Sequence, residues 1–218
     1  MMDEFAREAA IERVESLLET VEEEVMPVPV REVWVYGDLA LGLDPVERLD
    51  VYLTKDLLFG DDADTEAAFR ASHGIEGVGK TVRAEWAEAR PEYLRANHNG
   101  HAAPEQCLAA HLLEEGEPVH LEVCNTGFED NVTQRLRGAM AREAYTEVLD
   151  PRGVCLWVEG QRSASALDKL RDGELVFPTL AEALEMLGLD PDRATEVAEW
   201  LREDRAEQEG ATVRGDVV

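Results

Sequence analysis

Two sets of residues in this sequence have the types and spacing of phosphate chemistry. The first is GIEGVGKT, residues 74–81, which satisfies G-x-x-x-x-G-K-[ST] at each fixed position. In such a loop backbone N–H groups cradle phosphate oxygens, the lysine reaches the outer phosphates and the hydroxyl binds Mg²⁺. The second set is carboxylic. Asp50 falls in LDVYLT, residues 49–54, and Glu122 in VHLEVC, residues 119–124. Carboxylates on same-facing positions of neighbouring strands can hold divalent cations and, through them, a polyphosphate.

The elements around each set decide between them. A phosphate loop needs a buried strand before its first glycine and a helix after its lysine. Downstream, TVRAEWAEA supplies a helix. Upstream, DTEAAFRAS opens on an Asp cap and has helical spacing without a β-branched run. The pattern therefore reads as a helix-to-helix loop in which Gly74 ends the first helix. Gly74, Gly79, Lys80 and Thr81 remain anion-binding candidates, and a P-loop NTPase built on them is an alternative function.

The carboxylates have better flanks. Residues 3–25 carry apolar side chains at three- and four-residue steps and predict an amphipathic helix. VREVWVY, residues 30–36, predicts a strand, Gly37-Asp38 a turn, and residues 49–54 a second strand. A third strand covers residues 119–124. Taken by themselves, these residues make Gly37 a hairpin-like turn and Asp50 a solvent-side strand position.

The segment VYGDLALGLDPVERLDVYL also resembles the core signature of the nucleotidyltransferase superfamily, especially its minimal members. That signature is a strand, an hG[GS] turn, a spacer, and a strand bearing [DE]h[DE]h. The resemblance covers roughly residues 10–124. It implies a nucleotide at Gly37 and Asp38, and Mg²⁺ on Asp50 and Glu122 if the two converge. Two positions depart from the family pattern. Tyr52 stands where a second carboxylate is expected, and phenol is a poor Mg²⁺ ligand near neutral pH. Asp38 replaces the serine that would hydrogen-bond phosphate. What the resemblance implies is a catalytically degenerate core acting as a nucleotide-binding or regulatory module.

Further along, Pro104 opens a helix that Gly116 and Pro118 close, and residues 129–149 read as another. Asn125 directly follows the third strand, where α/β folds place ligands, and is a lining candidate. Asp150-Pro151-Arg152-Gly153 marks a domain boundary, separating residues 1–150 from a smaller piece, 151–218. That piece reads as a strand at 154–158, a helix at 163–171, a short strand at 175–177, a capping box at Thr179–Glu182 and a last helix from Pro191. The tail from Glu209 is expected to fray. Alternating strands and helices predict an α/β or α+β fold, with a mixed sheet flanked by helices.

Composition sets the environment. Asp and Glu number 48 against 21 Lys and Arg, for a net charge of −27. Lysine is confined to Lys55, Lys80 and Lys169, so arginine supplies the rest. Such a surface repels itself at low salt and is relieved when salt shortens the Debye length to about 3 Å. The pattern resembles that of haloarchaeal proteins, and the chain as a whole resembles an uncharacterised haloarchaeal family. The acidic opening MMDEFAREAA has no apolar h-region, so a cytoplasmic protein without a signal peptide or membrane span is expected. The expected partner is a nucleotide or other anionic small molecule; the acidity argues only weakly against nucleic acid, because high salt screens repulsion and attraction alike. Cys107, Cys124 and Cys155 read as buried thiols. His98 and His101, in a turn rich in Asn and Gly, lack the further ligands a metal site needs. A non-catalytic interaction module using the final helices is the remaining alternative.

Overall fold

The computed structural model describes residues 5–24, 26, 28–55, 104–114, 116–145, 147–208 and 210–215. Helix α1 (Arg7–Glu23) leads into β1 (Val30–Tyr36), the single turn α2 (Gly37–Ala40) and β2 (Leu49–Lys55). Next come α3 (Pro104–Leu112), β3 (Val119–Cys124) and α4 (Phe128–Arg142). The C-terminal part holds β4 (Gly153–Val158), β5 (Gln161–Arg162), α5 (Ala164–Asp172), α6 (Leu180–Met186), α7 (Pro191–Ala206) and β6 (Thr212–Arg214). The strands form one mixed sheet in the order β5-β4-β1-β2-β3-β6. Strands β1 and β2 are antiparallel, whereas β2, β3 and β6 run parallel. The expected mixed α/β architecture is the one observed.

The period of two in the strands divides the sheet into two chemically distinct faces. Val33, Val35, Leu49, Val51, Leu53, Leu121 and Val123 meet α1, α3 and α5 in the main core. Helix α1 delivers Ile11, Val14, Leu18 and Val21 to it as one stripe. The opposite face carries Trp34, Tyr36, Asp50, Tyr52, His120, Glu122 and Cys124. There α4 seats Phe128 among three rings: Trp34 stacks at 4.9 Å, Tyr36 lies at 5.7 Å and Tyr52 meets its edge at 5.2 Å. A third cluster joins Leu136 and Ala139 of α4 to Leu180 and Leu184 of α6 and Val197 of α7, which brings α7 towards the polar face.

The residues after 150 contribute strands to both edges of the same sheet. Several other details depart from expectation. The tail past Glu209 does not simply fray, since Thr212–Arg214 pairs with β3. No strand forms at residues 175–177. Leu175 and Phe177 pack singly against the core, and Val176 between them is 93% exposed. Helix α4 stops at Arg142 because Glu143 takes a left-handed conformation, φ 52°. Asp50 is fully buried rather than solvent-facing. Cys124 is buried as expected, whereas Cys155 is only half-buried. The capping box at Thr179 and Glu182 is present as read. Among the described residues no helix is long and apolar enough to cross a membrane.

Candidate functional site

Strand β1 ends at Tyr36, and the chain reverses through Gly37 into α2. Gly37 has φ +68°, and a Cβ built there would lie 2.2 Å from Asp50 Oδ2 and 2.9 Å from Arg205 Nη2. The absent side chain is therefore what allows a carboxylate and a guanidinium to pack onto the turn. The next residue, Asp38, points into the same space, where its Oδ2 accepts from the Glu47 N–H at 3.2 Å. Asp38 and Asp50 are 6% and 0% exposed.

Buried carboxylates need compensating charge, and here arginines supply it. Arg48, two residues before Asp50 and on the same side of β2, donates from Nε to Asp50 Oδ1 at 2.8 Å and places Nη2 at 2.6 Å. Arg205, in the last turn of α7, spans both aspartates: Nη1 lies 2.8 Å from Asp38 Oδ1 and Nη2 2.6 Å from Asp50 Oδ2. Gln208 holds Arg48 in turn through its Oε1. Both oxygens of Asp50 are thus taken by guanidinium groups from different elements.

Glu122 lies on the same face of the neighbouring strand. Parallel register pairs Asp50 with His120 and Tyr52 with Glu122, so the two carboxyl-bearing residues are diagonal, their Cα atoms about 8 Å apart by strand geometry. Glu122 accepts from Arg135 Nη2 at 2.6 Å, Arg214 Nε at 2.7 Å and His120 Nε2 at 3.2 Å. The other His120 nitrogen, Nδ1, lies 2.7 Å from Thr212 Oγ1, which ties β6 to the network. Burial would push the Glu122 carboxyl upward. The His120 hydrogen bond and the charges of Arg214 and Arg135 outweigh it and hold the group below its ordinary range. Tyr52 turns away and donates its hydroxyl to the Thr126 carbonyl at 2.6 Å.

Asp50 and Glu122 share a face but no partner. Among the described residues no group of three or more His, Cys, Asp and Glu side chains could hold a metal ion. The donor set as arranged is filled by guanidinium and does not fit Mg²⁺, so no step is assigned to one.

Above Asp50 opens a cleft of about 230 Å³. Its lining is partly apolar, with Leu41, Val148, Leu149, Leu180 and Leu201, and partly charged, with five arginines (48, 152, 202, 205 and 214) and four aspartates (38, 50, 150 and 204). Arg152 is clamped on Asp150 at 2.7 Å. Arg202 is exposed and makes no ion pair with any described residue.

Of the residues singled out from sequence, Gly37, Asp38 and Asp50 meet at this cleft. Glu122 sits beneath it, behind His120 and Arg214. Asn125 is placed elsewhere, at the far end of β3, where it accepts from Lys55 Nζ. Gly74, Gly79, Lys80, Thr81, His98 and His101 lie outside the described residues. Sequence reading missed Arg48, Arg202, Arg205 and Arg214. Only Arg48 left a legible signal, since residues two apart on a strand share a face.

The fold and cleft define an α/β protein with a pocket lined by arginines, aspartates and leucines on one face of a mixed sheet. Residues 6–218 match the family model of DUF7095, a family of unknown function, and the chain belongs to that family. No curated protein and no solved structure matches it.

Proposed function

We propose that this protein is a binding or regulatory module for a small anionic molecule of the nucleotide class, built on a nucleotidyltransferase-like core that does not run two-metal chemistry. The observation that carries this reading is charge placement. In a chain of net charge −27, the cleft lining holds five arginines with four aspartates, and of the five it is exposed Arg202 that has no ion pair with a described residue. The likeness to the nucleotidyltransferase pattern is supported by the order α1-β1-α2-β2 with Gly37 at the turn and Asp50 on the following strand. Loss of metal chemistry is supported by Tyr52, which occupies the second carboxylate position and is spent on Thr126. The cleft is smaller than the roughly 300–1,000 Å³ of drug-sized pockets, so it suits the phosphorylated half of a mononucleotide with the base at the mouth.

The acidic surface is read as an adaptation to the molar salt of a haloarchaeal cytoplasm. A thermal-shift series in molar KCl with AMP, ADP, ATP and phosphate, with and without Mg²⁺, tests the function. A ligand bound only by the native state raises the melting temperature, and the rise should be independent of Mg²⁺. No rise with any probe would reject this reading and favour an interaction role, for which exposed Val176 and Met186 are the relevant surface.

A further inference from the structure

We propose that the cleft selects phosphate monoesters, and that Arg205 binds them by exchanging its bond to Asp38 for one to the ligand. This rests on the anion-binding reading above and specifies its chemistry.

Arg205 is the accessible member of its cluster. Its side chain is 25% exposed, against 8% for Asp38 and 1% for Asp50. Its two terminal nitrogens do different things. Nη2 is committed twice, to Asp50 Oδ2 at 2.6 Å and to the Arg48 carbonyl at 3.3 Å. Nη1 has Asp38 Oδ1 at 2.8 Å. Rotating Nη1 off Asp38 leaves that carboxylate with the Glu47 amide. Asp50 keeps both Arg48 contacts, so the fully buried charge is never stripped of its counter-ion.

Arg202 supplies the second half of the grip. It stands three residues before Arg205 on α7, lines the same cleft and makes no ion pair with a described residue. Residues three apart on a helix are neighbours on its surface. The two guanidinium groups can therefore close on one anion from the same side, with paired N–H donors matched to phosphate oxygens.

The competition with Asp38 sets the selectivity. A carboxylate ligand offers Arg205 the same charge it already has, at the cost of ordering a free molecule. A phosphate monoester near pH 7 carries a charge of about −1.5 to −2 and three acceptor oxygens, so it wins the exchange. A neutral nucleoside gains nothing from it.

The test is calorimetric titration in molar KCl of AMP, inorganic phosphate, adenosine and acetate into wild type, R205A, R205K and D38N. Hydrogen exchange is followed over residues 200–208. Wild type should bind AMP and phosphate but neither adenosine nor acetate. D38N, which removes the competitor, should bind AMP about tenfold tighter, and R205K about tenfold weaker, because lysine lacks the planar fork. AMP should alter hydrogen exchange at residues 200–208 in wild type, which locates the ligand at the end of α7, while the D38N and R205K affinities read the exchange itself. D38N is isosteric and R205K keeps the positive charge, and these two decide the matter if R205A does not fold. AMP binding in wild type with unchanged affinity in R205A or R205K, or weakened affinity in D38N, overturns the exchange while the anion-binding reading survives. Failure of wild type to bind either phosphate compound overturns both.

Discussion

Arg205 Nη2 lies 2.6 Å from Asp50 Oδ2, joining residues 155 apart in sequence. The contact pins the end of helix α7 to the centre of the sheet. It also places a guanidinium over the carboxylate that a two-metal enzyme would need free.

The contact depends on an absent side chain. Gly37→Ala would set a Cβ 2.2 Å from Asp50 Oδ2 at φ +68°. Overpacking and left-handed strain together should destabilise the fold by about 2–4 kcal/mol. Urea denaturation checks this, and a change below about 0.5 kcal/mol, the range of an ordinary surface substitution, would mean that the turn yields.

The Arg205 bridge should contribute to stability in proportion to its burial. Because Asp50 keeps Arg48, Arg205→Ala should cost about 1–3 kcal/mol, less than the ~3–5 kcal/mol of an isolated buried pair. A double-mutant cycle with Asp38→Asn measures the Asp38 share. The more exposed ion pair of Arg171 with Glu15 should give a distinctly smaller effect in the same assay, because solvent screens it.

Glu122 predicts an acid limb in stability. Its carboxyl titrates below its ordinary 4.5 in the folded state. A lowered folded value means that the unfolded chain takes up protons first as pH falls. The stabilisation is therefore complete above pH 4.5 and is lost progressively as pH drops through the lower folded value. Glu122→Gln should remove this limb and, by leaving Arg135 and Arg214 uncompensated, cost about 3–5 kcal/mol at neutral pH. Melting curves from pH 7 down to pH 3 separate the variant from wild type, and an unchanged acid limb in Glu122→Gln would assign it to other carboxylates.

The net charge of −27 should make stability strongly salt-dependent. Melting temperature should rise steeply from low salt to molar KCl as self-repulsion is screened. A flat dependence would contradict the halophilic reading.

Much of the sheet was legible because its signals are local. Val30–Tyr36, Leu49–Lys55 and Val119–Cys124 are apolar, β-rich runs bounded by turns. Thr179 and Glu182 announced a helix start through reciprocal capping. Strand β6 was not legible, because three residues, Thr212 to Arg214, carry no periodicity, and only the parallel edge of β3 gives them a partner. The site was half legible. Gly37, Asp38 and Asp50 sit in one short segment, where a strand, a glycine turn and a second strand are legible together. Of the arginines that neutralise the two aspartates, Arg48 is local but Arg205 arrives from α7, and no local spacing marks an exposed-looking arginine as the partner of a carboxylate 155 residues away. Burial of Asp50 follows from that distant partner, which is why the strand taken alone suggested a solvent-facing residue.

One titration decides whether this cleft is an arginine site or a metal site. AMP is titrated calorimetrically into wild-type protein in molar KCl, first with EDTA and then with excess Mg²⁺. An arginine-walled cleft predicts the same saturable binding in both, with affinity lost in Arg202→Ala. Binding seen only with Mg²⁺ would contradict the guanidinium-filled site, and no binding in either would contradict the anion-binding function itself.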